Sequence, residues 1–397
     1  MRPKQELLEL EEKFVRLRIS NMADVDIGKF EFDFDTTFAV MVLNKDGQII
    51  SRYGGRDAQS PESFITLPSL KKALVRSLDL HQKSQENLIT LPKALKSRQA
   101  QSYPFVANVA MRCVHCHDVA SAQAFEMFES PSFDLAKDIW IHPEPISLGL
   151  DLDPDDGATL LKATGLAKEA GLTKGDRILS VNDIPVSTFT DIQYQLHRLS
   201  VDTESVKIGI KGKKIIALKL RDNWKHSDIT WRRLGIRLEP SAGFGGTPLS
   251  AKEKAALKLP TDGFAVTVSF LNFPKPENTP LKDGDIVFSV NKVEKSELTQ
   301  HAALHINLTH QLDEVLQLGV IREGERQVIP LTVSEGPSDN RRVMDSDSRM
   351  GRMMRGGRGM GRGRGRGRTG REGGRMRGRN MPPAEKPSPE TEEQESK

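Results

Sequence analysis

The sequence contains no apolar run of about 18 residues, the length that a membrane-spanning helix requires. It also lacks an apolar leader core, because its first residues, MRPKQELLELEEKF, follow a helical pattern. We therefore expect no transmembrane helix, and an exported chain would need a leader upstream of Met1. The content of 37% hydrophobic and 28% charged residues fits folded domains with some disordered length.

Cysteine is also scarce, and its two copies lie in one stretch, Cys113-Val-His-Cys116-His117. Cysteines so close together cannot staple distant parts of a fold, which excludes a disulfide framework. Their spacing is that of covalent c-type haem attachment, in which both thiols add to the haem vinyl groups and His117 binds the iron. Four residues are candidates for the sixth iron ligand: Met111, Met127, His81 and His142.

Three other interpretations use the same side chains. Zinc could be held by Cys113 and Cys116 with a histidine such as His117 or His142, although the sequence has no second Cys-x-x-Cys pair. A redox dithiol is the second, and it would need an exposed, electropositive setting. The third is a structural turn without any cofactor.

The net charge of +4 is unevenly distributed along the chain. Residues 349–379 contain twelve arginines and one acid, a charge of +11, which leaves −7 for the rest. We expect disorder over residues 336–397, because this composition cannot bury enough apolar surface to offset the entropy of ordering. The arginines of 349–379 could neutralise nucleic-acid phosphates, but no aromatic residue there offers base stacking. A solubilising tail is therefore an equal alternative.

Residues 1–81 follow the order helix, strand, hairpin, helix. An amphipathic helical pattern opens the segment, and Phe14–Ile19 then alternates like a strand. The stretches Phe38–Leu43 and Gln48–Tyr53 flank an Asn-Lys-Asp-Gly turn, which predicts a hairpin. Leu67–Leu80 predicts the closing helix.

Residues 82–144 have the pattern of a linker around the CxxCH stretch, with short helical pieces. The next two segments, 145–222 and 229–335, repeat an opening strand, a Gly-Asp strand entry and a helix. The stretch GLTKGDRILSVN in the first segment matches the bacterial PDZ pattern, and LKDGDIVFSVN repeats it in the second. The second copy departs from that pattern at Phe273–Pro276.

A PDZ groove binds a terminal carboxylate through the N–H groups of an apolar-Gly-apolar turn and adds the peptide as a strand. Gly149 and Gly235 are the positions where a larger side chain would crowd that carboxylate. Closed grooves with a structural role are the alternative. The predicted peptide-binding residues are Leu148, Gly149, Leu150, Ile192 and Leu196 in the first copy, and Leu234, Gly235 and Ile236 in the second.

Two further expectations concern polar and aromatic residues outside the grooves. Asp33 and Asp35 alternate along a strand edge, where surface or turn-capping roles are expected rather than acid–base catalysis. Trp224 and Trp231 fall in the connector between the two PDZ-like segments. We expect these two rings to pack the modules together.

The combination resembles bacterial proteins described as Trx7/PDZ domain-containing (seleno)proteins, through KFEFDFDTTFAVMVLNKDGQIISRYGGRD, CVHCHDV, GLTKGDRILSVN and DNWKHSDITWR. The resemblance covers about residues 6–335 and implies a partial thioredoxin-like α/β module and two PDZ-like β-sandwich or barrel modules. Together with the disordered C-terminal tail expected from composition, the fold class is multidomain α+β. The resemblance also implies that residues 1–81 lack the first βα unit and active site of the thioredoxin-like module, and Thr36-Thr37 stands in place of its cis-proline. A selenocysteine codon read as a stop would explain a start at Met1.

We therefore expect an exported, periplasmic protein that binds protein C-termini or exposed peptide segments through its PDZ modules. The resemblance couples this binding to a thioredoxin-like redox module, and the CxxCH spacing adds covalently bound haem c at the CVHCH stretch. If Met1 is the true start, the location is cytoplasmic. The alternative is a haem electron-transfer or thiol-redox protein whose PDZ modules only target it, and the third function is nucleic-acid binding by residues 349–379. No complete active site is evident, so oxidoreductase activity would belong to a longer gene product.

Overall fold

The computed structural model describes residues 5–93, 96–109, 113–213, 215–270 and 279–336. All of them belong to one unit that spans Met1–Asp347. The predictions made for Met111, for Phe273–Pro276 and for the Arg-Gly tail lie outside the described residues. No helix within the described ranges is long and apolar enough to cross a membrane.

The N-terminal region consists of a hairpin and two helices. Its elements are α1 (Gln5–Glu11), β1 (Val40–Leu43), β2 (Ile49–Tyr53) and α2 (Leu67–Gln85). α1 buries Leu7 and Leu10 against Leu74 of α2, which accounts for its apolar face. The side chain of Asn44 closes the hairpin turn by accepting the Gln48 N–H at 2.9 Å. The hairpin and the closing helix are thus as predicted, whereas the thioredoxin-like assignment stays a prediction.

The strand predicted over Phe14–Ile19 is not formed. Val15 and Leu17 are exposed to solvent, and Ile19 is more than half exposed. Alternating apolar residues form a strand only where a neighbouring strand takes up the hydrogen bonds and a core covers one face. Here β1 and β2 form a separate two-stranded sheet, so the segment has no sheet to join.

Residues 82–144 carry more regular structure than the sequence indicated. Their α-helices are α3 (Pro104–Val109) and the 14-residue α4 (Cys116–Glu129). His115 caps α4, and the Asp118 carboxylate accepts the His115 N–H at 2.9 Å. Small residues of α4 pack into one core with Phe34 of the N-terminal region. The segment is therefore a packed part of the fold.

The first PDZ-like module has two small antiparallel sheets. Its elements are β3 (Leu150–Leu152), β4 (Leu160–Ala163), α5 (Gly165–Glu169), β5 (Ile178–Val181), β6 (Ile184–Pro185), α6 (Phe189–His197), β7 (Ser205–Ile210) and β8 (Ile216–Lys219). β3 pairs with β4, and the second sheet has the order β6-β5-β7-β8. The inward-facing residues of both sheets and of α6 share one core. A 3-10 turn, Pro145–Leu148, leads into β3.

The second module, predicted to be PDZ-like, is built around one larger sheet and has a short helix between its first and second strands, where the first module has one between its second and third. A short connector helix, α7 (Arg233–Ile236), is followed by β9 (Gly245–Pro248), α8 (Ala251–Ala256), β10 (Val266–Ser269), β11 (Ile286–Val290), α9 (Ala302–Thr309), β12 (Val315–Arg322) and β13 (Glu325–Thr332). The antiparallel strand order is β13-β12-β11-β10-β9. β9 therefore lies at an edge of the sheet.

The connector corrects two expectations about polar and aromatic residues. Asp33 is buried, and both of its carboxylate oxygens accept hydrogen bonds from Arg232 at 2.8 Å. Its partner lies about 200 positions away in sequence, so local alternation could not reveal it. Trp224 packs into the core of the first module, whereas Trp231 lies between the guanidinium groups of Arg56 and Arg232, at 3.9 and 4.1 Å from its ring centroid.

Candidate functional site

The predicted carboxylate loop of the first module, Leu148–Leu150, is the end of the 3-10 turn. The N–H of Gly149 donates to the Ile146 carbonyl at 2.8 Å, and the Ser147 N–H donates to the Glu144 carbonyl at 2.9 Å. These amides are thus already bonded to rigid backbone carbonyls. Gly149 has a φ of +79°, and a Cβ there would lie 1.8 Å from the Thr164 carbonyl oxygen. The close approach of two chain segments, rather than a carboxylate, accounts for this glycine.

The predicted groove residues Ile192 and Leu196 lie in the core of the first module. Both side chains have no exposed surface, and they belong to the same cluster as Leu148, Leu150 and Leu152 from the turn and β3. The inner face of α6 therefore shares one core with the 3-10 turn and β3, and neither predicted side chain is accessible to a peptide.

The opposite face of α6 is covered by the N-terminal region. The Arg52 N–H donates to the Asp191 carboxylate at 2.8 Å, and the Tyr194 hydroxyl donates to the Glu31 carboxylate at 2.6 Å. The Arg52 guanidinium also stacks on the Tyr194 ring, 3.6 Å from its centroid. Burial raises the pKa values of Asp191 and Tyr194. This face of α6 thus contacts the N-terminal region.

Two further contacts join the N-terminal region to the first module. The Phe64 ring stacks on Phe189 with centroids 3.8 Å apart, so an N-terminal aromatic residue completes the core of the first module. Arg76 of α2 donates to both carboxylate oxygens of Asp156, at 2.7 and 2.8 Å. Burial alone would raise the pKa of Asp156, but the hydrogen bonds from Arg76 lower this pKa to about 2.

The second predicted loop, Leu234-Gly235-Ile236, is also not a carboxylate loop. These residues form α7, whose Leu234 is buried among residues of α4 and α9. A Cβ on Gly235 would lie 1.9 Å from the Ile229 carbonyl oxygen, so this glycine again permits a close backbone approach. The turn that enters the edge strand β9 lies further along the chain, at Ala242-Gly243-Phe244.

This turn and β9 lie beside α9. Gly243 has a φ of +68°, the left-handed region that favours glycine. The Ala242 N–H donates to the Asn307 side chain at 2.8 Å, and the Gly243 N–H donates to the Ser241 hydroxyl at 3.1 Å. Unlike the acceptors in the first module, these are side chains that can rotate away.

The edge of β9 carries polar groups that face α9. Nε2 of His301 lies 3.4 Å from the Gly246 carbonyl oxygen, while Thr247 is exposed. The Nδ1 atoms of His301 and His305 are buried and have no hydrogen-bond partner within the described ranges. Because β9 pairs with β10 on one side only, its other edge offers backbone groups to an added strand.

The CVHCH stretch has one exposed and one half-buried thiol, and neither is in a disulfide. Cys116 is the first residue of α4, and its Sγ donates to the Thr36 carbonyl at 3.6 Å. Burial raises the pKa of the Cys116 thiol, and the carboxylates of Asp35 and Asp118 contribute in the same direction. Burial and the neighbouring Asp33 carboxylate in turn raise the pKa of Asp35 to about 6.

The side chains as arranged do not fit a haem. The Cys116 thiol is turned toward a backbone carbonyl, and Val114, between the two cysteines, is fully buried in protein. His142, a candidate ligand for haem or zinc, is buried with its ring stacked on His197, 3.9 Å between centroids. Among the described residues, no three His, Cys, Asp or Glu side chains form a group that could hold a metal ion. Haem and zinc at this stretch stay predictions.

Comparison with known protein families gives one match, to a family described as PDZ domain, over residues 159–204. A PDZ domain lies in the first module. The matched stretch runs from the turn before β4 to the turn before β7 and includes α6. No curated protein matches the chain.

The residues that sequence reasoning missed are those around β9. The signal was present as SAGFGG at 241–246, a small-Gly-aromatic-Gly sequence directly before a strand. The apolar-Gly-apolar pattern of Leu234-Gly235-Ile236 matches the first copy more closely, so the sequence favours it as the carboxylate loop. Pattern alone does not distinguish a glycine that bends a loop from one that lets two backbone segments touch.

Proposed function

We propose that this chain is a protein-binding protein of the PDZ type that takes the free C-terminal segment of a partner at the edge of β9. The edge strand carries this proposal, because β9 pairs with β10 on one side only and lies beside α9 on the other. An extended peptide can add there as a further strand. Its carboxylate would displace the Asn307 and Ser241 side chains from the Ala242 and Gly243 amides.

The first PDZ module has a different role in this proposal. Its helix α6 shares one core with β3 at one face and contacts the N-terminal region at the other. The Gly149 amide of its loop donates to a backbone carbonyl, which cannot rotate away. We assign it the role of a joint that fixes the N-terminal region to the rest of the fold.

The CVHCH stretch is fixed to the peptide-binding module through α4. Ala124 of α4 is buried in one cluster with Leu234 of α7 and Leu304 of α9. The helix that begins at Cys116 therefore ends against the helix that flanks β9. Export and a thioredoxin-like redox function are further proposals that rest on the resemblance. Haem attachment rests on the CxxCH motif alone and would consume both thiols.

The test is peptide binding by the full chain. A phage-displayed library of peptides with free C-termini is panned on the protein, and the enriched peptide is labelled for fluorescence anisotropy. We expect amidation of its C-terminus to weaken binding about tenfold or more, since each lost charge-assisted hydrogen bond costs about 1.5–3 kcal/mol. Hydrogen exchange should show protection at 245–247, since Pro248 has no amide hydrogen, and not at 150–152.

A matched pair of variants locates the site. His301→Ala removes the ring that lies against Gly246, and we expect the peptide to bind about tenfold more weakly. His81→Ala is the control, because His81 on α2 also has a buried Nδ1 without a partner in the described part of the chain. Protection of β3 instead of β9, or equal binding by the two variants, would contradict the proposal.

A further inference from the structure

We propose that Cys113 and Cys116 form a thiol–disulfide exchange pair, in which Cys113 attacks a substrate disulfide and Cys116 resolves the intermediate. The pair differs in exposure: Cys113 lies at the surface and Cys116 is half-buried under the Thr36 carbonyl. An attacking thiol must reach a substrate, whereas a resolving thiol needs to reach only its neighbour. The proposal does not depend on peptide binding at β9.

The backbone between the two cysteines is held rigidly. The Val114 N–H donates to the Asn21 side chain at 3.0 Å, and the Val114 carbonyl accepts the Met22 N–H at 2.8 Å. The next residue, His115, donates its N–H to the Asp118 carboxylate at 2.9 Å. The backbone from Cys113 to the start of α4 is therefore held in place by hydrogen bonds, and Cys116 Sγ must leave the Thr36 carbonyl to attack Cys113.

Opposing electrostatic influences act on the Cys116 thiol. It lies at the N-terminus of a 14-residue helix, where the helix dipole stabilises negative charge. The imidazoles of His115 and His117 are exposed beside the pair, with centroids 5.4 Å apart. Burial and the nearby carboxylates outweigh the dipole and raise the pKa of Cys116, which agrees with its assignment as the resolving rather than the attacking thiol.

The chemistry balances with a substrate disulfide R–S–S–R′ as oxidant. The Cys113 thiol loses its proton and attacks one sulfur, which forms the mixed disulfide Cys113–S–S–R and releases R′–S⁻, which takes up a proton. Cys116 then loses its proton and attacks Cys113 Sγ, which forms the Cys113–Cys116 disulfide and releases R–SH. Two electrons pass from the dithiol to the substrate, and two thiols leave.

Glutathione disulfide is the probe for this reaction, and the full chain is assayed by mass spectrometry after acid quenching. The wild-type protein should release two glutathione molecules per chain and lose 2 Da, the mass of two hydrogens. Cys116→Ser should stop at a stable mixed disulfide on Cys113. Cys113→Ser should react at least about tenfold more slowly than Cys116→Ser, because its remaining thiol is half-buried. Since the chain has only these two cysteines, every modification reports on the pair.

Three results would overturn the proposal. One is a wild-type protein that keeps one bound glutathione without releasing the second, and another is equal reactivity of the two serine variants. The third concerns protein produced in cells that mature c-type haem. A haem absorption band and no titratable thiols in that protein would refute the proposal. If a serine variant fails to fold, the order in which iodoacetamide alkylates the two wild-type thiols replaces this test. Modification of Cys116 before Cys113 would refute the assigned roles.

Discussion

The two modules each place a helix before their last two strands but differ in what surrounds that helix. In the first, α6 shares one core with β3, and the N-terminal region covers its other face. In the second, α9 leaves two histidine nitrogens without partners among the described atoms, and Thr247 on β9 is exposed. The same fold can thus serve as a joint or as a binding edge, and the neighbours decide which.

The loops that precede the edge strands differ in a matching way. Gly149 and Gly243 both have a positive φ, so each chain turns at a glycine before its strand. The amides of the first turn donate to the carbonyls of Glu144 and Ile146, which are part of the backbone. Those of the second donate to side chains that a ligand can displace. The comparison therefore predicts that peptide affinity belongs to the second module.

The largest effect should come from removing Arg232, which joins the connector to the N-terminal region. Its side chain is almost fully buried and binds both oxygens of Asp33. Arg232→Ala leaves a buried carboxylate without its cation, and we expect a loss of about 3–5 kcal/mol in the free energy of unfolding. Denaturant unfolding measures it, with Arg221→Ala as control, because the Arg221–Glu169 pair is exposed and worth under about 1 kcal/mol.

The double variant Arg232→Ala with Asp33→Asn sharpens this test. If the cost is that of an uncompensated charge, removing the charge should restore part of the stability. Equal losses for Arg232→Ala and Arg221→Ala would mean that the buried pair does not hold the N-terminal region in place. The rigid joint assigned to the first module would then be wrong.

A smaller effect is expected from Phe64→Ala, which removes the N-terminal ring from the core of the first module. Phe64 stacks on Phe189, and its truncation should cost about 3 kcal/mol in the free energy of unfolding. Phe38→Ala is the control, because Phe38 is half exposed. Hydrogen exchange of α6 should rise in the first variant only. Phe64→Ala could also give the first module peptide affinity. That result would mean that the N-terminal region, rather than the hydrogen-bonded loop amides, prevents the first module from binding peptide.

Much of the fold could be predicted from the sequence because it is local. The Gly-Asp entries of both modules mark a turn followed by a buried strand, and the Asn-Lys-Asp-Gly turn marks the hairpin. The strand expected at Phe14–Ile19 failed because its alternation has no sheet beside it. The ion pair between Asp33 and Arg232 could not be predicted, since nothing local distinguishes a carboxylate that meets a distant arginine from one that meets water.

The candidate site shows the same limit. The spacing of Cys113 and Cys116 is visible in the sequence, but the contact of Cys116 with Thr36 spans 80 positions and depends on how α4 packs. The sequence singles out Gly149 and Gly235 as positions where a larger side chain would crowd a bound carboxylate, and a Cβ at either has no room in the structure. The crowding atoms are carbonyl oxygens of Thr164 and Ile229 rather than a ligand, and only the tertiary structure identifies them.

The smallest predicted effect is a pH dependence at the loop of the first module. Glu144 is partly buried and accepts the Ala58 N–H at 2.9 Å, and burial raises its pKa from 4.5 to about 7. Between these values the folded chain holds a proton that the unfolded chain has lost, so stability falls as the pH rises from 4.5 to 7. Glu144→Gln keeps the acceptor and removes the titration. The rise in pKa corresponds to about 3 kcal/mol, and because water at the partly exposed side chain reduces it, we expect the variant to be more stable than wild type by about 2 kcal/mol above pH 7.

The two proteins should differ little below pH 4.5, where the wild-type carboxyl is protonated in both states. Glu62→Gln is the control, since Glu62 is exposed and should leave the pH profile of unfolding unchanged. The contact between Glu144 and Ala58 ties the first loop to the N-terminal region, so this profile reports on the joint itself. A wild type as stable as Glu144→Gln at pH 8 would mean that water reaches the carboxylate and that the first loop is more open than its hydrogen bonds indicate.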